Sequence, residues 1–299
     1  MEEYVINNIS IDNVTVIESK INKLSSILNC EFAEISISVA ERVRELFSMG
    51  LGYSEIFAMI SDEVITEELK NKIFGIFTEA DFVNTLCLRL SEFNSMPTES
   101  DLLPAAEVEE TFTYVKNTLS DEAYDVFSQD FSDPRVAYSQ GFREAAEGTS
   151  DKSVGFCILP LEEKAGVRIP GISSIIFSED LKIVSVSPVF GLDGNADMKY
   201  ALLSSEFKIP KYEEGDERYL EILVEKEENF SLASLLFAAE KFDCELFRIS
   251  TSTYETEEVE NTYYSIIFRT KRPSFCELLI FLSLFCRDYI PVGLYKNLE

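Results

Sequence analysis

The sequence predicts an α+β chain in three parts: a helical segment over 1–105, an α/β lobe over 106–210 and a C-terminal βαββαβ unit over 217–299. Three observations predict it. Apolar residues recur at i, i+3 and i+4 through most of the first part. Strand-like and helix-like stretches alternate through the second. The third switches between two-residue and helical periodicity in a fixed order.

The helical part reads as amphipathic stretches at 21–28, 39–47, 53–60, 68–77 and 81–93. Ser54 and Ser61 stand where caps are expected, and Gly50 and Gly52 punctuate a turn. With two Pro and several polar residues, 96–104 reads as a linker. In the lobe, strands are predicted at 112–115, 135–138, 154–159, 182–190 and 199–203. Helical stretches are predicted at 120–127, with Ser120 as the candidate cap, at 141–147 and at 172–177. The nearly unbroken apolar run Val154-Gly155-Phe156-Cys157-Ile158-Leu159 is the pattern of a buried parallel strand. Alternation of this kind argues for a doubly wound layer.

In the C-terminal unit, Leu220, Ile222 and Val224 share one face of a strand over 219–226. A helix over 231–242 follows, with Ser231 placed to cap it and Leu232, Leu235, Leu236 and Ala239 at helical spacing. Strands at 245–254 and 263–270 precede an apolar helix over 275–285 and a last strand over 289–295. That order is the ferredoxin-like unit, one sheet face covered by two helices. Its second helix carries more apolar surface than one such face covers. Phe281, Leu282, Leu284 and Phe285 cannot all point one way at about 100° per residue. The excess is expected to lie against the N-terminal helices or against a second copy of the chain.

Composition narrows the function. A formal net charge of −28 repels phosphate backbones and anionic lipid heads, which argues against nucleic-acid and membrane partners. No stretch reaches the roughly eighteen apolar residues of a membrane span. Met1-Glu2-Glu3-Tyr4 lacks the basic and apolar regions of a secretory signal, so a cytoplasmic location is expected. Cys30, Cys87, Cys157, Cys244, Cys276 and Cys286 stand singly, mostly within apolar runs, and read as reduced core residues. There is no His. That removes His-paired nucleophiles, His metal ligands and His acid–base chemistry, and no Cys-x-x-Cys pair offers a zinc site. No metal and no cofactor are expected.

Local matches accumulate within 112–204. Residues 112–123 form a strand, a turn and a Ser-bearing helix start. The run from Val154 ends in Leu159-Pro160-Leu161-Glu162, and Gly166 is followed by Asp180-Leu181-Lys182-Ile183-Val184. Asn195 then precedes Met198-Lys199-Tyr200-Ala201-Leu202-Leu203-Ser204. In order and spacing these resemble the first, periplasmic-binding-protein-like lobe of prephenate dehydratases. The C-terminal unit resembles the ACT domain, a regulatory module that senses amino acids. The resemblance implies conversion of prephenate to phenylpyruvate with loss of carbon dioxide and water. It also implies an effector site for a small metabolite such as L-phenylalanine, and a homodimer formed through the ACT-like unit.

The positions to which the resemblance assigns chemistry have changed. The family's threonine, credited with acting on the departing group, is Met198, which has no proton to give. The arginine beside it is Lys199, which lacks the bidentate fork, and the phenylalanine is Tyr200. Glu163 and Lys164 replace an asparagine and a serine, and Lys116-Asn117-Thr118-Leu119 replaces a glycine-rich turn. Only seven residues separate Phe190 from Met198, where the family inserts its second lobe. No catalytic residue is assigned. Lys164, Arg168 and Lys199 are the cations near the implied site. In the ACT-like unit, Phe230, Ser231 and Leu232 occupy the strand-to-helix turn, and Ser250, Thr251, Ser252 and Thr253 a second ligand-contacting element. Three readings stay open: a non-catalytic relative that binds a metabolite or partner, an active prephenate dehydratase, and an interaction protein with no ligand.

Overall fold

The structure is a computed structural model that describes residues 32–65, 78–164, 166–190, 196–226, 231–255, 260–286 and 288–298. The predicted stretches 21–28 and 68–77, and Phe230, lie outside these residues. The chain begins with α1 (32–48), α2 (Tyr53–Glu63), α3 (Glu79–Glu92) and the short α4 (Glu99–Leu102). The lobe runs β1 (Thr111–Val115), α5 (Thr118–Phe127), β2 (Arg135–Ser139), α6 (Phe142–Ser150), β3 (Phe156–Glu163), α7 (Pro170–Ser178), β4 (Lys182–Phe190) and β5 (Ala196–Ser204). The C-terminal unit runs β6 (Arg218–Glu225), α8 (Leu232–Lys241), β7 (Glu245–Glu255), β8 (Glu260–Thr270), α9 (Cys276–Phe285) and β9 (Ile290–Asn297).

All nine strands form one sheet in the order β2-β1-β3-β5-β4-β9-β6-β8-β7. β3 is parallel to β1, as its apolar run suggested, but antiparallel to β5 on its other side, so the lobe is mixed. The last four strands, β9-β6-β8-β7, are antiparallel throughout, with the first strand of the unit between its last and its third. A parallel pairing of β4 with β9 joins the two halves. Gly293 sits at that seam. A Cβ there would lie 2.7 Å from the Ile183 Cβ and 2.9 Å from its carbonyl oxygen, so a residue without a side chain lets the strands meet.

α8 and α9 cover one face of the C-terminal strands. α9 is buried nearly all round, with Leu278, Leu279, Ile280, Phe281, Leu282 and Leu284 enclosed, as expected of a helix with no polar face. Its outer side meets α2 and α3, in one core with Val43, Ile56, Phe57 and Leu86. The surplus apolar surface read from the sequence is thus covered within the chain. Ser61 does not cap a helix: it is buried in α2 and donates to the Leu284 carbonyl at 2.7 Å. Ser54 is also internal, because Gly52 is the N-cap, and it donates to the Leu102 carbonyl at 3.2 Å. Asn117, not Ser120, caps α5, its side chain accepting from the Ser120 N–H at 3.0 Å.

The segment over 96–104 is no linker. Leu102 and Leu103 are buried, and so is Glu99. Its carboxylate meets Arg218 Nη2 at 2.5 Å and accepts from the Phe275 N–H at 2.8 Å. Arg218 is fully buried and also donates to the Pro273 carbonyl at 2.6 Å. One ion pair therefore fastens the end of the helical part to the start of β6 and of α9. The five cysteines among the described residues are free and buried.

Candidate functional site

On the opposite sheet face, α6 and α7 pack in a second core with Leu159, Leu161, Leu223 and Ile267. The site grows from the end of β3. A tight turn, with Gly166 at φ +74°, follows the strand. The Gly166 N–H donates to the Glu163 carbonyl at 2.8 Å and the Glu163 N–H to the Val167 carbonyl at 2.9 Å. This reversal bridges Arg168 to Glu162. Glu162 is 4% exposed, and three cations converge on it. Arg168 Nε lies 3.3 Å from Oε1, Arg248 Nη1 donates to Oε1 at 2.6 Å, and Lys199 Nζ lies 3.7 Å from Oε2. Arg168 also pairs through Nη2 with Glu221 of β6, which accepts from the Tyr295 hydroxyl at 3.1 Å.

This cluster reports the shape of the sheet. β3 and β7 stand six strands apart, about 29 Å across a flat sheet at ~4.8 Å per strand. Arg248 of β7 nonetheless reaches Glu162 of β3, so the sheet coils around α7. Tyr254 of β7 stacks on Phe177 of α7 at 4.2 Å between ring centroids, closing the same concave side.

Between α7 and the coiled sheet lies a cavity of about 220 Å³. Arg168 and Glu221, with Lys182 and Asp180, form its charged lining, and Ile176, Leu223 and Val292 part of its apolar wall. Ser173, Ser250 and Ser265 add hydroxyls, and a groove lined by Arg248 and Ser174 adjoins it. Ser250 and Ser265 are direct cross-strand partners. Burial disfavours the charged form of Arg168, but Glu221, Tyr295 and Glu162 outweigh that and hold its pKa above the ordinary range. Burial, then the Glu221 charge, pushes the Tyr295 hydroxyl well up, which keeps it a proton donor to that carboxylate.

The residues singled out from sequence fall into two groups. Arg168, Lys199, Ser250 and Ser252 join the coiled face: Lys199 at the edge of the cluster, the two serines lining the cavity. Lys164 is exposed in the turn after β3. Thr251 and Thr253 alternate with the serines along β7, and Thr253 lies 3.5 Å from Thr262, hydroxyl to hydroxyl. Ser231 caps α8, accepting from the Ser234 N–H at 3.2 Å, and Leu232 packs into the helical core. Met198 and Tyr200 point away from Lys199 into a third core with Phe112, Ile158 and Leu202. Burial raises the Tyr200 hydroxyl pKa. Glu162, Glu221, Arg248, Tyr295, Ser173 and Ser265 were not singled out. A signal existed for one of them, since Glu221 interrupts an otherwise apolar buried strand, whereas Glu162 stands near the end of its strand beside Glu163.

Among the described residues no cluster of His, Cys, Asp and Glu is placed to hold a metal, and no helix is long and apolar enough to cross a membrane. Comparison of the sequence with protein-family models and with curated proteins finds no match. In fold the chain is similar to prephenate dehydratases. The enzyme from Streptococcus mutans aligns at a TM-score of 0.48 and 15% identity, covering 63% of this chain and 99% of that one. The enzyme from Arthrobacter aurescens, solved with L-Phe, aligns at 0.43 and 10%, covering 62% and 90%. GqqA, described as a novel type of quorum quenching acylase, aligns at 0.45 and 17%, covering 63% and 95%.

Proposed function

We propose that this chain is a prephenate-dehydratase-like protein that binds a small metabolite without carrying out the dehydratase reaction. The observation that carries this reading is the cavity under α7, walled by the buried Arg168–Glu221 pair and by hydroxyls. Concave sites with an apolar wall and a few convergent polar groups are where small molecules bind, and drug-sized ligands need ~300–1,000 Å³. A cavity of about 220 Å³ suits something smaller. Chemistry lacks its parts. Met198 offers no proton, Tyr200 is buried against the lobe core, and Lys199 faces the Glu162 carboxylate. The C-terminal ACT-like unit supplies about half of the cavity wall and the lobe the rest, so the metabolite would be read between α7 and the sheet face that the unit's own helices leave uncovered.

Two measurements test this. Purified protein incubated with prephenate is expected to form phenylpyruvate no faster than buffer does, and enzyme-dependent turnover would restore the catalytic reading. Thermal melting against a broad panel of amino acids, short carboxylates, amines and polyols is expected to give at least one stabilising ligand. A hundredfold excess over Kd adds roughly 2.7 kcal/mol to the native state. A flat panel would leave a protein that binds no small molecule.

A further inference from the structure

The cavity's charges and free hydroxyls point to a narrower ligand class, and we infer that it takes a monoanionic acid with a compact apolar body. This rests on the binding reading above and adds what the ligand must carry. Five charged groups form the cluster: Arg168, Arg248 and Lys199 against Glu162 and Glu221. The sum is one unmatched positive charge, in a chain whose net charge is −28. Lys182 and Asp180, which also line the cavity, pair with each other and leave that sum unchanged. Charge buried beside an apolar wall is costly unless paired. One negative charge on a ligand would balance the cluster; a zwitterion would leave the surplus in place, and a dianion would overshoot it.

The donors are arranged to match. Ser173, Ser250 and Ser265 line the cavity, and none makes a side-chain hydrogen bond among the described residues. Arg248 spends Nη1 on Glu162, while its Nη2 carries no hydrogen bond among the described residues and lines the adjoining groove. An oxyanion can accept from hydroxyls and from a guanidinium alike. An ammonium could donate to the serine oxygens but is repelled by Arg248, and its natural partner, Glu221, is already held by Arg168 and the Tyr295 hydroxyl. Ile176, Leu223 and Val292 on the inner wall leave room for an apolar body behind the head group.

Three probes that share one aromatic body isolate the head group: 3-phenylpropionate has the carboxylate alone, 2-phenylethylamine the ammonium alone and L-phenylalanine both. Calorimetric titration of the full chain is expected to show one 3-phenylpropionate per chain, bound at least about tenfold more tightly than L-phenylalanine, with 2-phenylethylamine silent. The double variant Ser250→Ala/Ser265→Ala is expected to melt as the parent does without ligand and to bind the acid about tenfold or more weakly, as lost hydrogen bonds to a charged group should. The inference is overturned if L-phenylalanine binds as tightly as the acid, if the acid does not bind, or if the double variant binds it undiminished. If only amines or polyols from the broad panel stabilise the protein, this inference falls and the binding reading stands; if nothing does, both fall.

Discussion

The two faces of the C-terminal strands meet different fates. On one, Leu220, Ile222, Ile266 and Phe268 meet α8 and α9, and α2 and α3 lie over those helices in a second layer. Several polar groups on that side meet across the helices: Ser61 donates to Leu284, Ser234 to Glu79, and Lys241 pairs with Asp81. On the other face, Glu221, Leu223 and Ser265 meet α7 across a gap, and several hydroxyls there make no side-chain hydrogen bond among the described residues. Apolar surface has to be covered for the fold to be stable. Hydroxyls that water can reach beside an apolar wall cost the fold little and stay available to a ligand. The helical face therefore reads as scaffold and the coiled face as site.

The largest expected effect breaks the scaffold. Glu99→Ala leaves Arg218 buried without its carboxylate and should cost about 3–5 kcal/mol in urea unfolding. Gly293→Ala forces a methyl group into Ile183 at the seam between the two halves, and about 1–3 kcal/mol is expected from overpacking. Serine-to-alanine changes then compare the two faces with the same chemistry. Ser61→Ala removes a buried donor and should cost about 0.5–1.5 kcal/mol. Ser250→Ala and Ser265→Ala remove hydroxyls that make no side-chain hydrogen bond among the described residues and should each stay within about 0.5 kcal/mol of the parent. Equal costs on both faces would erase the distinction.

The smallest effect is electrostatic. Partial burial raises the Asp81 carboxyl, but hydrogen bonds from Lys241 and Thr78 outweigh that and hold its pKa below the usual range. A depressed carboxylate contributes stability above its unfolded pKa, about 3.9, and loses it as pH falls through the folded value. The junction of α3 with α8 should therefore weaken in acid below about pH 4. Asp81→Asn should flatten that part of the urea-stability profile while leaving ligand binding on the coiled face unchanged.

Local pattern carried the scaffold further than the site. The change of period along 219–295 identified six elements in order, and Ser231 as a cap, because each depends on near neighbours. The excess apolar surface of α9 was also legible, since a helix apolar on all sides needs covering wherever its cover comes from. Caps were misplaced by two or three residues: Gly52 and Asn117 cap their helices, and Ser54 and Ser120 fall inside them. The segment over 96–104 looked like a linker because its polar residues do not reveal that Glu99 meets a buried arginine more than a hundred positions away. The cluster was beyond local reading for the same reason. Glu162, Arg168, Glu221 and Arg248 meet only because the sheet coils, and coiling is a property of nine strands together. What the chain did display was a carboxylate in the middle of one apolar strand, Glu221, and a buried one near the end of another, Glu162, a cost that needed a reason.

The most direct test of the account is methyl NMR of the protein titrated with 3-phenylpropionate, or with whichever compound of the panel stabilises it most. The methyl signals of Ile176, Leu223 and Val292 on the coiled face are expected to move in step with binding, while those of Leu235 and Leu279 on the helical face stay fixed. Shifts confined to Leu235 and Leu279, with the cavity methyl groups unmoved, would place recognition on the helical face and contradict the account.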